Sequence, residues 1–253
     1  MLLNIAWFST GRDEAARLLL QTAHENIRNG EIKGKISFVF SNREPGESEE
    51  SDLFFDLVHN YDIPLVCFSH RKFKASMAEE DWRLKYDREV NKRIERFSPD
   101  LCVLAGYMLI VGGELCRKYD MINLHPALPG GPVGSWQEVI WTLIESKAKE
   151  TGAMMHLVSP ELDRGPAVTY CTFSLRGKSF DQYWHRDDKN TLFQLIRQHE
   201  LAREFPLIIL TLKAFSQNKI SIRDGKTVDA QGNHIQGYNL TEEIDRMVEE
   251  NLR

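Results

Sequence analysis

Asn123 and His125 are the residues whose types and spacing first suggest chemistry in this sequence. They lie two positions apart at the end of an apolar run, in the segment INLHPALPGGPVG (122–134). Side chains two residues apart on a strand point to the same face, so the amide and the imidazole would enter one pocket. An amide that stabilises an oxyanion beside an imidazole that exchanges protons suits acyl transfer. Asp163 is the candidate carboxylate that would orient the imidazole.

Short apolar runs alternate with amphipathic stretches in the first half of the chain. The runs are LLNIAWFS (2–9), KISFVFS (35–41), PLVCFS (64–69), DLCVLAGY (100–107) and MINLHPA (121–127). Nearly continuous apolar character predicts strands that are buried on both faces, as in a parallel sheet. Helical patterns lie between the runs, which favours an α/β fold with a doubly wound, mostly parallel sheet. Ligands bind such sheets beyond the carboxyl ends of the strands, where Gly11, Gly106 and Asn123 fall.

The pattern changes after residue 150. The segments GAMMHLVS (152–159) and AVTYCTFSL (167–175) predict two strands joined by the short loop that contains Asp163. A long helix is predicted over residues 189–216. The stretch KISIRDGKTVDAQGNHI (219–235) then predicts a small hairpin, with Asp-Gly as its turn.

Composition places the chain among ordinary globular proteins. It has 253 residues, of which 42% are hydrophobic and 27% charged, and we expect a single domain over 1–253. The core would occupy about 1–216, and the C-terminal hairpin and tail about 217–253. A net charge of −5 argues against nucleic-acid partners, and no apolar run is long enough to span a membrane. Four scattered cysteines and the lack of a signal-peptide pattern favour a cytoplasmic protein.

Several motifs together resemble the glycinamide ribonucleotide formyltransferases of purine synthesis, and more broadly the enzymes that transfer a formyl group from 10-formyltetrahydrofolate. The motifs are AGYMLI (105–110), INLHPALPGGPVG, TGAMMHLVSPELDRGP (151–166), FSNREPG (40–46) and the tail 224–240. The resemblance covers nearly the whole chain. It implies a Rossmann-like formyltransferase fold and a folate-dependent one-carbon transferase. It also implies 10-formyltetrahydrofolate as the co-substrate that donates the formyl group, a small-molecule amine as acceptor, and no metal.

The resemblance also implies roles for particular residues. Asn123, His125 and Asp163 would form the catalytic group, with the oxyanion held by the amide and a protonated imidazole. The folate would contact two segments that follow strands: Met108, Leu109, Ile110, Ser159, Pro160, Glu161 and Leu162. The acceptor substrate would contact Gly11, Arg12, Asp13 and Gly134.

The turn after the first strand departs from the family pattern. Family members usually read GxGSN there, and the small residues let backbone N–H groups hold a phosphate. This chain reads Gly11-Arg12-Asp13-Glu14, whose carboxylates repel a phosphate unless Arg12 pairs with it directly. Leu201 stands where a glutamate usually meets the ribose, with Glu200 beside it. These changes spare the formyl-transfer residues, so the identity of the acceptor amine stays open.

Four functional hypotheses follow from these observations. The first is formyl transfer to glycinamide ribonucleotide, and the second is the same chemistry on a different, non-phosphorylated amine. The third is hydrolysis of the formyl donor, although hydrolases of that type usually carry an extra N-terminal regulatory domain. The fourth is a non-catalytic folate binder, which fold alone does not exclude.

Three further points stay open in the sequence. His156 is either a site residue or a structural histidine. Together with His125 and Asp163 it also matches a two-histidine, one-carboxylate metal site, which formyl transfer does not require. The oligomeric state is undetermined, with a homodimer among the alternatives, and the aromatic-rich segment 177–190 has no assigned role.

Overall fold

The computed structural model describes residues 2–77, 82–177 and 179–250, and contains one large sheet and one hairpin. The strands are β1 (Leu3–Phe8), β2 (Gly34–Ser41), β3 (Leu65–Cys67), β4 (Leu101–Leu104), β5 (Met121–His125), β6 (Glu150–Leu157), β7 (Ala167–Ser174), β8 (Ile220–Arg223), β9 (Lys226–Asp229) and β10 (Tyr238–Asn239). The large sheet has the order β10-β7-β6-β5-β4-β1-β2-β3. Strands β1 to β5 pair in parallel, and β6 pairs with β7 in antiparallel. The predicted α/β class is confirmed.

Helices connect most of these strands. They are α1 (Glu14–Arg28), α2 (Glu49–Asn60), α3 (His70–Ala75), α4 (Trp82–Ile94), α5 (Gly113–Lys118), α6 (Trp136–Glu145), α7 (Asp181–His185), α8 (Lys189–Ser216) and α9 (Thr241–Glu250). The long helix predicted over 189–216 is confirmed as α8, and the predicted C-terminal hairpin is confirmed as β8 and β9. No described helix combines the length and apolar composition that a bilayer-spanning segment requires.

The chain divides into two compact units that are interleaved along the sequence. The first comprises Met1–Asn123, Val158–Pro160 and Phe215–Gln217, and the second comprises Leu124–Leu157, Glu161–Ala214 and Asn218–Arg253. The sequence contains no linker-like stretch between them, which is why composition alone predicts one domain. That prediction extends over 1–253, and so includes residues outside the described ranges.

Aromatic side chains fill the core of the first unit. Phe8 on β1 lies 5.1 Å from Phe40 on β2 and 5.7 Å from Tyr107, measured between ring centroids. Tyr86 on α4 stacks on Phe68 at 4.9 Å and donates its hydroxyl hydrogen to the Phe68 carbonyl oxygen. Rings of this size bury large apolar areas and limit movement. The core therefore holds the carboxyl ends of β1 to β4 in place, and with them the loops that follow.

The segment 177–190 packs into the second unit through its aromatic residues. Phe180 is buried in the core that α6 and α8 share. The indole N–H of Trp184 donates to the Leu175 carbonyl oxygen at 2.7 Å, and the Arg176 guanidinium lies 4.5 Å from the Trp184 ring. Lys178 lies outside the described residues. The described part of this segment thus has a packing role, which its aromatic composition alone did not establish.

A carboxyl group is buried on α8, next to the position where the family usually has a ribose-binding glutamate. Glu200 is fully buried, and neither of its carboxyl oxygens has a hydrogen-bond partner among the described residues. Arg197 lies 3.6 Å from the Glu200 carboxyl, too far for a hydrogen bond, and instead donates to Glu204 at 2.6 Å. Burial, reinforced by the Glu204 charge, raises the pKa of Glu200 well above its ordinary value.

Glu200→Gln is expected to stabilise the protein increasingly as the pH rises above mild acid. Because the folded-state pKa is raised, the contribution of the carboxyl to stability is complete below its unfolded pKa of about 4.3. That contribution is lost progressively as the pH rises from the unfolded pKa to the folded-state pKa. Between the two pKa values, the variant's advantage should grow by about 1.4 kcal/mol per pH unit. Urea unfolding at pH 5 and pH 8 measures this, with exposed Glu249→Gln as the control. A difference that does not change with pH would contradict the burial argument.

Candidate functional site

Strand β5 ends at the two residues that the sequence singled out. His125 is 2% exposed, and Asn123, two residues earlier on the same strand, is half-buried. Pro126 follows and lacks a backbone N–H, so it cannot continue the ladder of strand hydrogen bonds. The Ala127 N–H then donates to the His125 carbonyl oxygen at 2.9 Å, which closes a tight turn. Both residues therefore belong to β5, and the strand ends at His125.

Both nitrogens of the His125 ring have oxygen neighbours. Nε2 lies 2.8 Å from the Pro132 carbonyl oxygen, and because a carbonyl only accepts, Nε2 carries the hydrogen. Nδ1 lies 3.6 Å from Asp163 Oδ2, close enough for a charge interaction but too long for a hydrogen bond. Burial lowers the pKa of His125 and outweighs the Pro132 carbonyl and Asp163, which both raise it. The resting imidazole is therefore neutral at pH 7, and the protonated imidazole that the resemblance implies at the oxyanion stage stays a prediction.

Asp163 lies in the turn between β6 and β7, with its side chain 8% exposed. Its backbone φ is +52°, in the left-handed region that aspartate tolerates better than most residues. The Gly134 N–H donates to Asp163 Oδ2 at 3.1 Å. Burial alone would raise the pKa of Asp163, but His156, His125 and this N–H together hold it below its ordinary value. Asp163 is therefore an anion at neutral pH.

His156 is buried on the opposite side of the same carboxylate. Its Nδ1 donates to the Leu157 carbonyl oxygen at 2.8 Å, and its Nε2 lies 3.5 Å from Asp163 Oδ1. A Cβ on Gly165 would lie 1.6 Å from that Leu157 oxygen, so only glycine allows the turn to pass this close. Among the described residues, no group of three or more histidine, cysteine or acidic side chains could hold a metal ion. The structure thus places His156 beside Asp163, which the sequence had left undecided.

The segment after β4, expected to contact the folate, is tied to the turn after β1 within the first unit. The Met108 N–H donates to Thr10 Oγ1 at 2.8 Å, and the Thr10 N–H donates to the Gly106 carbonyl oxygen at 3.0 Å. Met108 and Ile110 are each 48% exposed, while Leu109 packs against the core. This edge therefore offers apolar side chains to a ligand, and their contact with folate stays a prediction.

The second predicted folate segment follows β6. Val158 donates its N–H to the Met121 carbonyl oxygen at 2.8 Å, which anchors the start of the segment in the first unit. Ser159 is half-buried and Pro160 is exposed in that unit. Glu161 and Leu162 belong to the second unit and are exposed, Leu162 by 47%. Their role in folate binding also stays a prediction.

The turn after β1 is closed by the chain's own side chains. The Gly11 N–H donates to Ser9 Oγ at 3.2 Å, and its φ of +61° is one that glycine adopts readily. Asp13 caps α1, and its Oδ1 accepts the Ala16 N–H at 3.0 Å. Its Oδ2 accepts the Arg12 Nε–H at 3.2 Å. A carboxylate thus occupies the position where a helix N-terminus would otherwise attract an anion.

Some groups around His125 and Asp163 were missed by sequence reasoning because they belong to the backbone. The carbonyl oxygens of Pro132 and Leu157 determine which imidazole nitrogens carry hydrogens. The Gly134 N–H is a donor to the carboxylate, although the sequence predicted Gly134 only as a contact of the substrate. No residue type encodes such contacts, because every residue has the same backbone groups.

Residues 3–174 match the family model described as Formyl transferase, so the chain belongs to this family of enzymes, which use 10-formyltetrahydrofolate as formyl donor. It is 31% identical to the phosphoribosylglycinamide formyltransferase of Schizosaccharomyces pombe (strain 972 / ATCC 24843) over 158 residues, which are 59% of this chain and 73% of the relative.

Two solved structures are similar in fold. A phosphoribosylglycinamide formyltransferase from Coxiella burnetii has a TM-score of 0.73 at 20% identity, covering 94% of this chain and 99% of that one. A formyltetrahydrofolate deformylase from Pseudomonas syringae pv. tomato has a TM-score of 0.65 at 23% identity, covering 90% of this chain and 66% of that one. At these identities the likeness shows the fold alone.

Proposed function

We propose that this protein transfers a formyl group from 10-formyltetrahydrofolate to the primary amine of glycinamide ribonucleotide. The observation that carries the proposal is the buried His125 imidazole with the Asp163 carboxylate 3.6 Å from its Nδ1. A buried base oriented by a carboxylate is a recurring arrangement in acyl transfer. The name of the Schizosaccharomyces pombe relative supports the choice of acceptor.

The proposed reaction begins with attack of the neutral amine on the formyl carbon. A C–N bond forms, the carbonyl π electrons move to the oxygen, and the Asn123 amide donates a hydrogen bond to that oxyanion. Nε2 of His125 gives up its contact with Pro132 as the substrate binds, and the ring hydrogen then lies on Nδ1 beside Asp163. In this tautomer Nε2 is free to exchange protons with the reacting groups. One proton passes from the attacking nitrogen to the folate N10 as the N10–C bond breaks. The products are the N-formyl amine and tetrahydrofolate.

Asp163 contributes electrostatics to this sequence of steps. Its negative charge beside Nδ1 favours the imidazolium that forms when His125 accepts a proton, and burial makes that interaction stronger than it would be in water. The Gly134 N–H and His156 keep the carboxylate ionised and oriented. A neutral resting imidazole suits this role, since only the neutral ring can accept a proton.

A second candidate keeps the chemistry but changes the acceptor. The Asp13 carboxylate at the start of α1 favours this alternative, because it would repel the phosphate of a ribonucleotide held there. The acceptor would then be a non-phosphorylated amine. Water as the acceptor gives the hydrolase hypothesis, and the fold likeness to a deformylase keeps it testable.

Purified protein should release tetrahydrofolate from 10-formyltetrahydrofolate when glycinamide ribonucleotide is added, with one N-formyl product per folate. Absorbance of the folate and mass spectrometry of the product measure the two sides of this balance. Parallel reactions contain a non-phosphorylated primary amine or no amine at all. Turnover with the non-phosphorylated amine but not with glycinamide ribonucleotide would mean that the acceptor is a non-phosphorylated amine. Formate release at the same rate with and without an amine would mean that the protein is a hydrolase.

A further inference from the structure

The loops after β1, β2 and β3 are tied together at the carboxyl edge of the first unit. Thr10 Oγ1 donates to Asn42 Oδ1 at 2.8 Å, and the His70 N–H donates to the Asn42 carbonyl oxygen at 3.1 Å. The His70 ring nitrogen Nδ1 also lies 3.0 Å from that oxygen. Arg43 and Arg71 are the next residues after Asn42 and His70. The two arginines therefore leave the backbone from neighbouring, fixed positions.

The Arg43 side chain is directed toward the turn after β1. Its Nη1 donates to Ser51 Oγ at 2.8 Å, and the Ser51 hydroxyl donates in turn to the Thr10 carbonyl oxygen at 3.1 Å. Its Nε is buried and has no hydrogen-bond partner among the described residues. A buried guanidinium nitrogen without an acceptor costs free energy, which an anionic ligand would recover.

The Arg43 guanidinium lies within the electrostatic influence of two other guanidiniums. Burial lowers the pKa of Arg43, and the positive charges of Arg71 and Arg12 lower it further, against the opposing effect of Glu47. The nearby carboxylates have other partners: Glu44 lies 2.8 Å and Glu47 3.7 Å from the Lys72 ammonium. Within the described ranges, no carboxylate forms an ion pair with Arg43 or Arg71. Three guanidiniums are thus grouped at this edge, and of the three only Arg12 is paired with a described carboxylate, that of Asp13.

We infer that Arg12, Arg43 and Arg71 form an oxyanion site built from side chains, which binds the phosphate monoester of the acceptor in place of the closed helix N-terminus. Guanidinium groups match phosphate oxygens with two parallel hydrogen bonds, so side chains can replace backbone donors. This inference rests on the proposed function, because it names how the same acceptor is held. It also explains how a turn capped by Asp13 is compatible with a phosphorylated substrate.

Binding of inorganic phosphate to the purified protein tests the site without any turnover. Isothermal titration should show binding that weakens about tenfold or more in Arg43→Gln and in Arg71→Gln, because each loses a charged hydrogen bond. Arg88→Gln is the matched control, since this exposed arginine of the first unit pairs with Glu114 elsewhere. Arg71 is exposed, so its variant keeps the fold even if Arg43→Gln, which loses the Ser51 contact, is destabilised.

Asp13→Asn should change the affinity in the opposite direction. Asparagine caps a helix as well as aspartate does, so α1 is kept while the charge that repels phosphate is removed. Phosphate should then bind more tightly than to the unmodified protein. Equal phosphate binding in the unmodified protein, Arg43→Gln and Arg71→Gln, or no binding to any of them, would overturn the inference.

Kinetics separate this inference from the proposed function. The arginine variants should raise KM for glycinamide ribonucleotide and leave KM for 10-formyltetrahydrofolate unchanged. A raised KM only for folates with extra glutamyl carboxylates would overturn the inference, because the arginines would then hold the donor.

If phosphate binding depends on Arg43 and Arg71 but glycinamide ribonucleotide is not formylated, the anion site is supported and the proposed acceptor is wrong. If formylation proceeds with unaltered KM in both variants, the acceptor stands and the site fails.

Discussion

Replacing His125 with alanine is expected to reduce formyl transfer by about 10²- to 10⁴-fold, the usual contribution of a general acid–base group. The variant loses the only imidazole that the proposed reaction uses to exchange protons. Binding of the folate should be nearly unchanged, since the predicted folate segments Met108–Ile110 and Ser159–Leu162 are untouched. Single-turnover rates with saturating donor measure the loss, and folate fluorescence titration measures binding.

The matched control is His59→Ala, at an exposed position near the end of α2. Loss of the buried ring also leaves the Pro132 carbonyl oxygen without its donor, at a cost of about 1–3 kcal/mol of stability. Rates should therefore be compared well below the melting temperature of both variants. A rate within threefold of the unmodified protein would exclude His125 from proton transfer and would leave only positioning effects to explain catalysis.

Asp163→Asn is expected to reduce the rate by about 10²-fold and to shift its dependence on pH, because His125 acts as the acid–base group beside it. The negative charge of Asp163 raises the pKa of His125, so removing it should lower that pKa further below its ordinary value. The acid limb of the kcat/KM profile should consequently move to lower pH. At the same time kcat should fall, because the imidazolium that forms during the reaction loses its counter-charge.

The same substitution has a signature in stability that checks the geometry independently. The folded-state pKa of Asp163 is lowered, so its contribution to stability is present above its unfolded pKa and is lost as pH falls through the folded value. Asp163→Asn should therefore be less stable than the unmodified protein at pH 7 and equal to it in strong acid. Asp224→Asn is the control, since Asp224 has a matching φ of +50° but lies exposed in the hairpin turn. Loss of activity without any shift of the acid limb would indicate a structural role alone.

The role of His156 follows from its position beside Asp163. Its Nε2 faces the oxygen of Asp163 that does not face His125, so the carboxylate is shared between two imidazoles. In the proposed reaction only His125 exchanges protons with the reacting groups, and His156 acts through Asp163. His156 is therefore a positioning residue in the proposed reaction.

Much of the fold could be predicted because its signals are local. Apolar runs predicted β1 to β7, and a long helix was predicted over residues 189–216, where α8 lies. The tail was harder: β10 has two residues, too few to show a period, and its pairing with Thr169 and Tyr170 on β7 is a long-range contact. Helix α9 (Thr241–Glu250) was also missed in the sequence.

The sequence by itself determined that an amide and an imidazole share one face at the end of β5, because strand alternation and the following proline are local properties. It also determined the family, because long motifs with specific spacing are carried in the chain. Only the tertiary structure decided which ring nitrogens of His125 and His156 carry hydrogens, because two backbone carbonyl oxygens accept them. It also decided that Arg43 and Arg71 lie at the carboxyl edge of the first unit. Those arrangements depend on contacts between residues far apart in sequence, and such contacts exist only once the chain has folded.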